Sequence, residues 1–263
     1  MRKKAVSLMF FVILVVMGAV FYTNMSVVGA TGPETAVNVP VSTSFTQYIS
    51  NIYKDINLEA AGLDSALFAK AFTGYYNLKT QGELSGKKNI LSVIDFRKNS
   101  TEKRLWVIDL DTKKIMYHSL VAHGRNTGEN TAQKFSNIPE SNMSSLGFYV
   151  TGETYIGKHG LSLFIDGKEN GFNNNARERA VVIHGADYVN ETFAKNVGRI
   201  GRSLGCPALP QNIAPEVIND ISGKTCLFIY GNDKNYERKS QLKDMATASA
   251  AFNKEMQQAM LQK

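Results

Sequence analysis

Cys206 and His184 are the residues of this chain whose types suit covalent chemistry at a carbonyl: a thiol to attack and an imidazole to take its proton. A thiol reacts as its thiolate, and a free cysteine is mostly protonated at neutral pH, so it needs an adjacent base or a cationic setting. His184 closes the run RAVVIH (179–184), which reads as a short buried strand. Gly185 then allows a sharp turn directly after the imidazole. Around the thiol, Gly201, Gly205 and Pro207 spell a tight loop rather than helix or strand. Such a loop can converge the backbone N–H groups of Gly205 and Cys206 on one point, the arrangement that stabilises a developing oxyanion. A lone cysteine is more often a small buried hydrophobe, and a lone strand-end histidine a hydrogen-bonded structural group. The two together, with the glycines and Ser203 around the thiol, favour catalysis.

Other chemistries have less behind them. The sequence holds no CxxC or HExxH spacing, no GxGxxG and no Walker pattern, so neither a metal nor a cofactor is expected. His118 and His123, in the run IMYHSLVAH (115–123), are five residues apart and would face opposite sides of a strand, which weakens them as paired ligands. Acyl transfer through a thioester is what remains. His184 takes the thiol proton, Cys206 attacks a peptide carbonyl, an amine leaves, and a second amine or water resolves the acyl-enzyme. His159, in Lys158-His159-Gly160, is a second histidine candidate near the site, and equally a loop residue. Cys226, in TCLFIYG, reads as a structural thiol in a buried strand. A Cys206–Cys226 disulfide would block the nucleophile, and the sequence leaves that pairing open.

The elements that must position these groups follow from periodicity. Arg2, Lys3 and Lys4 precede an 18-residue apolar run from Ala5 to Tyr22 interrupted by Ser7 and Gly18, the pattern of a signal peptide or a signal anchor. Removing residues 1–30 deletes three basic and no acidic residues, so the formal charge falls from +7 to +4. A mildly basic exported chain suits an anionic polymer, while basic residues with no continuous run and no interleaved aromatics argue against nucleic acid. A Pro- and Gly-bearing linker (31–43) leads to a helical stripe at Phe45, Tyr48, Ile49, Ile52, Tyr53 and Ile56. A second helix is expected from Asp64 as N-cap to about Thr80, with Leu63 and Phe68 spaced as a hydrophobic staple. From Asn89 the period changes to strands: ILSVIDF, RLWVIDL and IMYHSLVAH, with a hairpin at Asp111-Thr112-Lys113, then LGFYVTGETYIG as a strand pair or a strand and turn, and LSLFIDG. Tyr188–Val197 and Pro215–Ile221 read as short helical segments, Thr225–Tyr230 as a closing strand, and 240–263 as a helix with one apolar face. The class is mainly β with peripheral helices.

The pair His184-Gly185 followed by Ser203-x-Gly205-Cys206 resembles the signature of the murein L,D-transpeptidases, most closely the branch whose loop is near GRSxGCPA, over about Asn57 to Tyr230. Where the commoner pattern has His before the Gly-Cys and Asn or Arg after it, this chain has Leu204, Pro207 and Ala208. The resemblance implies a β-sandwich or barrel-like core with peripheral helices. Together with the leader, linker and helices read from the residues, it gives an organisation into leader (1–30), linker (31–43), helical N-terminal support (44–88), catalytic domain (89–232) and C-terminal helix (233–263). It also implies a location in the periplasm or cell envelope, with membrane attachment only through an uncleaved leader. The implied partner is a peptidoglycan stem tetrapeptide, cleaved before its terminal D-alanine. An amine acceptor would give a 3,3 cross-link, and water would give an L,D-carboxypeptidase. The Gly185 carbonyl would orient the imidazole, and the turn GRNTG (124–128) would lie on the substrate side. Arg202 and Ser203 would meet a stem carboxylate or the intermediate, and Tyr188 would line the pocket. A non-catalytic peptidoglycan-binding scaffold and a cysteine amidase with another substrate are the competing readings. Oligomeric state is not legible.

Overall fold

Residues 44–262 are described by the computed structural model; the leader and linker readings fall outside them. The apolar positions Phe45, Ile49 and Ile52 form the buried face of α1 (Phe45–Asp55), which begins where the Ser44 side chain accepts from Gln47 N–H. α2 (Ser65–Thr80) starts as its cap dictates: Asp64 Oδ1 accepts from Leu67 N–H at 2.8 Å, and Leu63 and Phe68 are both buried beside it. α2 lies so close to the sheet that a Cβ on Gly74 would run into the Phe148 ring.

Eight strands form one sheet: β1 (Ile90–Asp95), β2 (Leu105–Asp109), β3 (Lys114–Ser119), β4 (Gly147–Gly157), β5 (Gly160–Gly167), β6 (Val182–Ala186), β7 (Ala208–Pro210) and β8 (Cys226–Tyr230), in the order β3-β2-β1-β8-β4-β5-β6-β7. β1 with β8 and β6 with β7 are parallel; the remaining pairs are antiparallel. Every residue of β1 and β8 is buried, because these central strands are covered on both faces, hence their unbroken apolar runs. Past the end of β3, Ala122 N–H donates to Ala208 O on β7 at 2.8 Å, so the two sheet edges meet and the sheet curls into a nearly closed barrel. The short helices α3 (Glu191–Val197) and α4 (Ala214–Ile221) flank β7, and α4 packs on β5 and β6. The mainly β class with peripheral helices is what the chain adopts.

Four local expectations change. The strand in RAVVIH begins only at Val182, because Ala180 takes a left-handed backbone (φ 51°) and leaves Arg179 in a turn. LGFYVTGETYIG is one strand, bulged between Thr151 and Thr154, and the hairpin turn comes after it at Lys158-His159. The run IMYHSLVAH leaves the ladder after Ser119, so His123 stands beyond the strand. The C-terminal segment is two helices, α5 (Lys234–Lys239) and α6 (Met245–Leu261). The break falls at Ser240, whose backbone is extended and whose hydroxyl donates to the buried Glu169 carboxylate instead of continuing the helix. The apolar face of α6 is core: Phe252 packs on Phe45 with ring centroids 5.4 Å apart.

Candidate active site

β6 and the loop before β7 carry the two reactive groups. His184 is the third residue of β6, not its end, and is 3% exposed. Its Nδ1 lies 2.8 Å from Gly185 O. A carbonyl only accepts, so Nδ1 bears the proton and Nε2 keeps the lone pair of a general base. Gly185 therefore orients the ring through its carbonyl while staying in the strand, paired with Leu209. Its lack of a side chain answers a close approach, not a turn: a Cβ there would fall 2.6 Å from Gln211 Oε1 and 3.0 Å from Ala214 Cβ. The β4–β5 hairpin brings His159 over this ring, with centroids 4.4 Å apart and planes at 22°. Burial pushes the His184 imidazolium below its ordinary pKa, the Gly185 hydrogen bond opposes that, and the charge of a protonated His159 adds to it.

Parallel pairing sets His184 opposite Ala208, and just before that ladder the Cys206 side chain meets the start of β6 at Val182. The half-buried sulfur accepts from Val182 N–H at 3.4 Å and its S–H points to Ala180 O at 3.7 Å. Among the described residues no hydrogen bond joins the thiol to the imidazole: Cys206, in the loop before β7, meets Val182 N–H and Ala180 O, while His184 Nδ1 meets Gly185 O. Burial pushes the thiol pKa up, while the Val182 N–H, the Arg179 guanidinium and the cysteine's own N–H pull it back. Cys226 is fully buried on β8, four strands away in either direction around the barrel. A disulfide needs Cα atoms within about 7 Å, so the two thiols, both free, cannot pair without rebuilding the fold.

The loop itself differs from its sequence reading. Gly205, at φ 130°, donates its N–H to Ser203 Oγ at 3.1 Å, and Ser203 Oγ donates to Cys206 O at 2.6 Å. The Gly205 amide is thereby occupied, whereas Cys206 N–H meets no acceptor but its own sulfur among the described residues. Ser203, 5% exposed, staples the turn rather than facing a ligand. The letters Gly201-x-Ser203-x-Gly205 match a serine nucleophile elbow, but this serine is buried in the loop and has no histidine on it. Arg202 is engaged through one nitrogen: its Nη1 donates to Arg125 O and Gly128 O at 3.1 Å each and to Glu129 Oε1 at 2.6 Å, so it braces the loop. The GRNTG turn is the other half of that brace, with Arg125 N–H on Ser203 O and Ser203 N–H on His123 O. Tyr188 packs its ring on Gly201, where any Cβ would collide with it. Burial raises its phenol to about 12, with Cys206 contributing. Leu204, beside the thiol, is 64% exposed.

The sequence reading missed two arginines. Arg179 comes out of its turn to reach Ser136 O, Ser145 Oγ, Ser141 Oγ and Met143 O, next to Gly205. The only signal was a charged residue heading an apolar strand. Arg104, fully buried, donates to Val121 O and to His123 Nδ1 at 2.8 Å, so His123 is neutral and carries its proton on Nε2, toward Gly128 O. His118 instead stacks on Trp106, and the two histidines share no site.

Burial, then the Arg104 charge, pushes His123 down to about 4. Below pH 6.5 the unfolded chain binds a proton that the fold refuses, so stability is complete above pH 6.5 and declines toward pH 4. The gap corresponds to about 3 kcal/mol for this residue, and His184 and His118 act in the same direction. Urea unfolding at pH 7 and 4.5 should show that slope, and His123→Gln should flatten it. Equal slopes in both proteins would refute the assignment.

The L,D-transpeptidase catalytic domain family matches residues 59–230. Solved structures similar to the chain include an L,D-transpeptidase from Mycobacterium smegmatis (13% identity over 55% of this chain and 59% of that one, TM-score 0.33). Others are the helical cell shape determining protein Pgp2 from Campylobacter jejuni (13%, 62% and 57%, TM-score 0.33) and Bd1075 from Bdellovibrio bacteriovorus (14%, 62% and 56%, TM-score 0.36). The chain spans less than two thirds of the length of each. No curated protein matches it. Because the matched stretch takes in all eight strands together with His184 and Cys206, this chain belongs to the family of L,D-transpeptidase catalytic domains.

Proposed function

We propose that the protein is an exported cysteine acyltransferase of the cell envelope that joins peptidoglycan stem peptides. The observation that carries the reading is the tautomer of His184: with Nδ1–H tied to Gly185 O, its free Nε2 lies on the strand next to a half-buried thiol. Cys206 S–H gives its proton to Nε2, and the sulfur attacks the carbonyl that precedes a terminal D-alanine of a tetrapeptide stem. Cys206 N–H is the loop donor available to the resulting oxyanion. Collapse expels D-alanine, which takes the proton from the imidazolium, and leaves a thioester. The side-chain amine of a second stem then forms a 3,3 cross-link. Water in that role would make the protein an L,D-carboxypeptidase. The fold admits no shortcut through Cys226, which is sealed in the core.

Full-length protein incubated with a disaccharide tetrapeptide and read by mass spectrometry tests the proposal. Cross-linked dimer with released D-alanine is the expected result, and tripeptide alone would reassign the acceptor to water. Binding with neither product would make the protein a scaffold and sink the catalytic reading.

A further inference from the structure

Arg97, Arg177, Arg199 and Arg202 each sit on a carboxylate. Arg179 does not. Its guanidinium is held by four neutral acceptors, Ser136 O at 2.8 Å and Met143 O at 2.7 Å among them, and its Nε is buried with no partner among the described residues. Arg104 is likewise held by neutral acceptors, but it is fully buried against Phe96 and His123, whereas Arg179 is half-buried beside the thiol loop, where an anion formed during function can reach a cation that lacks a counter-charge. The place where such an anion would form is adjacent. Nη2 lies 3.5 Å from where a Cβ of Gly205 would stand, and the carbonyl of the next residue, Ala180, is the one that the Cys206 S–H approaches. The 141–145 segment that grips Arg179 also grips the loop, since Ser144 Oγ donates to Gly205 O at 3.1 Å.

We propose that Arg179 is the positioning and charge-stabilising residue of Cys206, holding the 205–206 turn and favouring the thiolate over the thiol. This rests on the reading of Cys206 as the nucleophile. The proton moves from sulfur to His184 Nε2, the guanidinium keeps its own protons, and the negative charge left on sulfur is the counter-charge that Arg179 lacks. Before the proton moves, the other groups named around the thiol supply no cation at neutral pH; once it has moved, the His184 imidazolium shares the stabilisation of the thiolate with Arg179. His184 must be neutral to act as the base, and the Tyr188 phenol is neutral. The left-handed Ala180 is what turns Arg179 back toward the loop.

The test is the pH dependence of Cys206 alkylation by iodoacetamide, followed on its peptide by mass spectrometry in the full chain, with buried Cys226 as the unreactive reference. Arg179→Gln should raise the titration midpoint by about one pH unit and slow alkylation at pH 7.5 by about five- to tenfold. Arg179→Lys, which keeps the charge but not the four contacts, should hold the midpoint within about 0.3 pH unit while kcat falls. An unchanged midpoint in folded Arg179→Gln overturns the proposal. If that variant does not fold, a rise of about one unit in Arg179→Lys overturns it instead. Alkylation needs no stem peptide, so absence of turnover would count against the proposed function alone, and an unmoved midpoint with normal turnover against Arg179 alone.

Discussion

Cys206→Ala is expected to lower turnover of a disaccharide tetrapeptide by at least roughly 10³-fold, the loss typical when the nucleophile of a covalent mechanism is removed. The size follows from the absence of a substitute. Ser203 is three residues away in the chain, but its hydroxyl is spent inside the loop, donating to Cys206 O and accepting from Gly205 N–H. Cys226 is fully buried between β1 and β4, and burial pushes its thiol far above the ordinary range. Cys226→Ala should therefore retain turnover, and a carbapenem should form its thioester adduct on Cys206 in the wild type and on no residue of Cys206→Ala. Residual D-alanine release within tenfold of wild type in Cys206→Ala would show that another group carries the chemistry.

What the sequence made legible was local. Asp64 with Leu63 and Phe68 announces a helix start because cap and staple act within five residues. Asp109 to Lys114 announces a hairpin because the Asp109 carboxylate takes the N–H groups of Asp111 and Thr112 inside the turn itself. The candidate pair stood out because a thiol and an imidazole in small-residue settings are few in this chain. What escaped depends on partners far along the chain. Arg202 was read as a partner for a substrate carboxylate, and the carboxylate its Nη1 meets in the fold belongs to Glu129, 73 residues earlier. Gly205 looked like an oxyanion donor, but the staple from Ser203 depends on a φ of 130° that no pattern encodes. Arg179 looked like the head of a strand, and one left-handed residue, Ala180, moved it into the site. His159 was placed near the site from a loop motif, and the β4–β5 hairpin is what stacks it on His184. Errors therefore concentrate in the loop that positions the thiol, where long-range hydrogen bonds override what short-range spacing suggests.

His184→Gln should cost roughly 10²- to 10⁴-fold at pH 7, because glutamine can hydrogen-bond but cannot carry the thiol proton. The loss should shrink as pH rises. Hydroxide then ionises the thiol without the imidazole, and the variant's rate should climb about tenfold per pH unit until the thiol itself has titrated. A merely structural histidine would give a deficit that pH does not repair. In the wild type the base must be neutral, and burial holds its pKa below the ordinary 6.5. The acid limb of kcat/KM should accordingly lie below pH 6.5, with the rate falling as pH drops through it. His159 fixes the sign of one more change: a protonated ring stacked at 4.4 Å opposes protonation of His184, so His159→Ala should move the acid limb upward, toward neutral pH. An acid limb that His159→Ala leaves in place, or moves downward, would mean that the imidazole of His184 is not the group whose protonation stops the reaction.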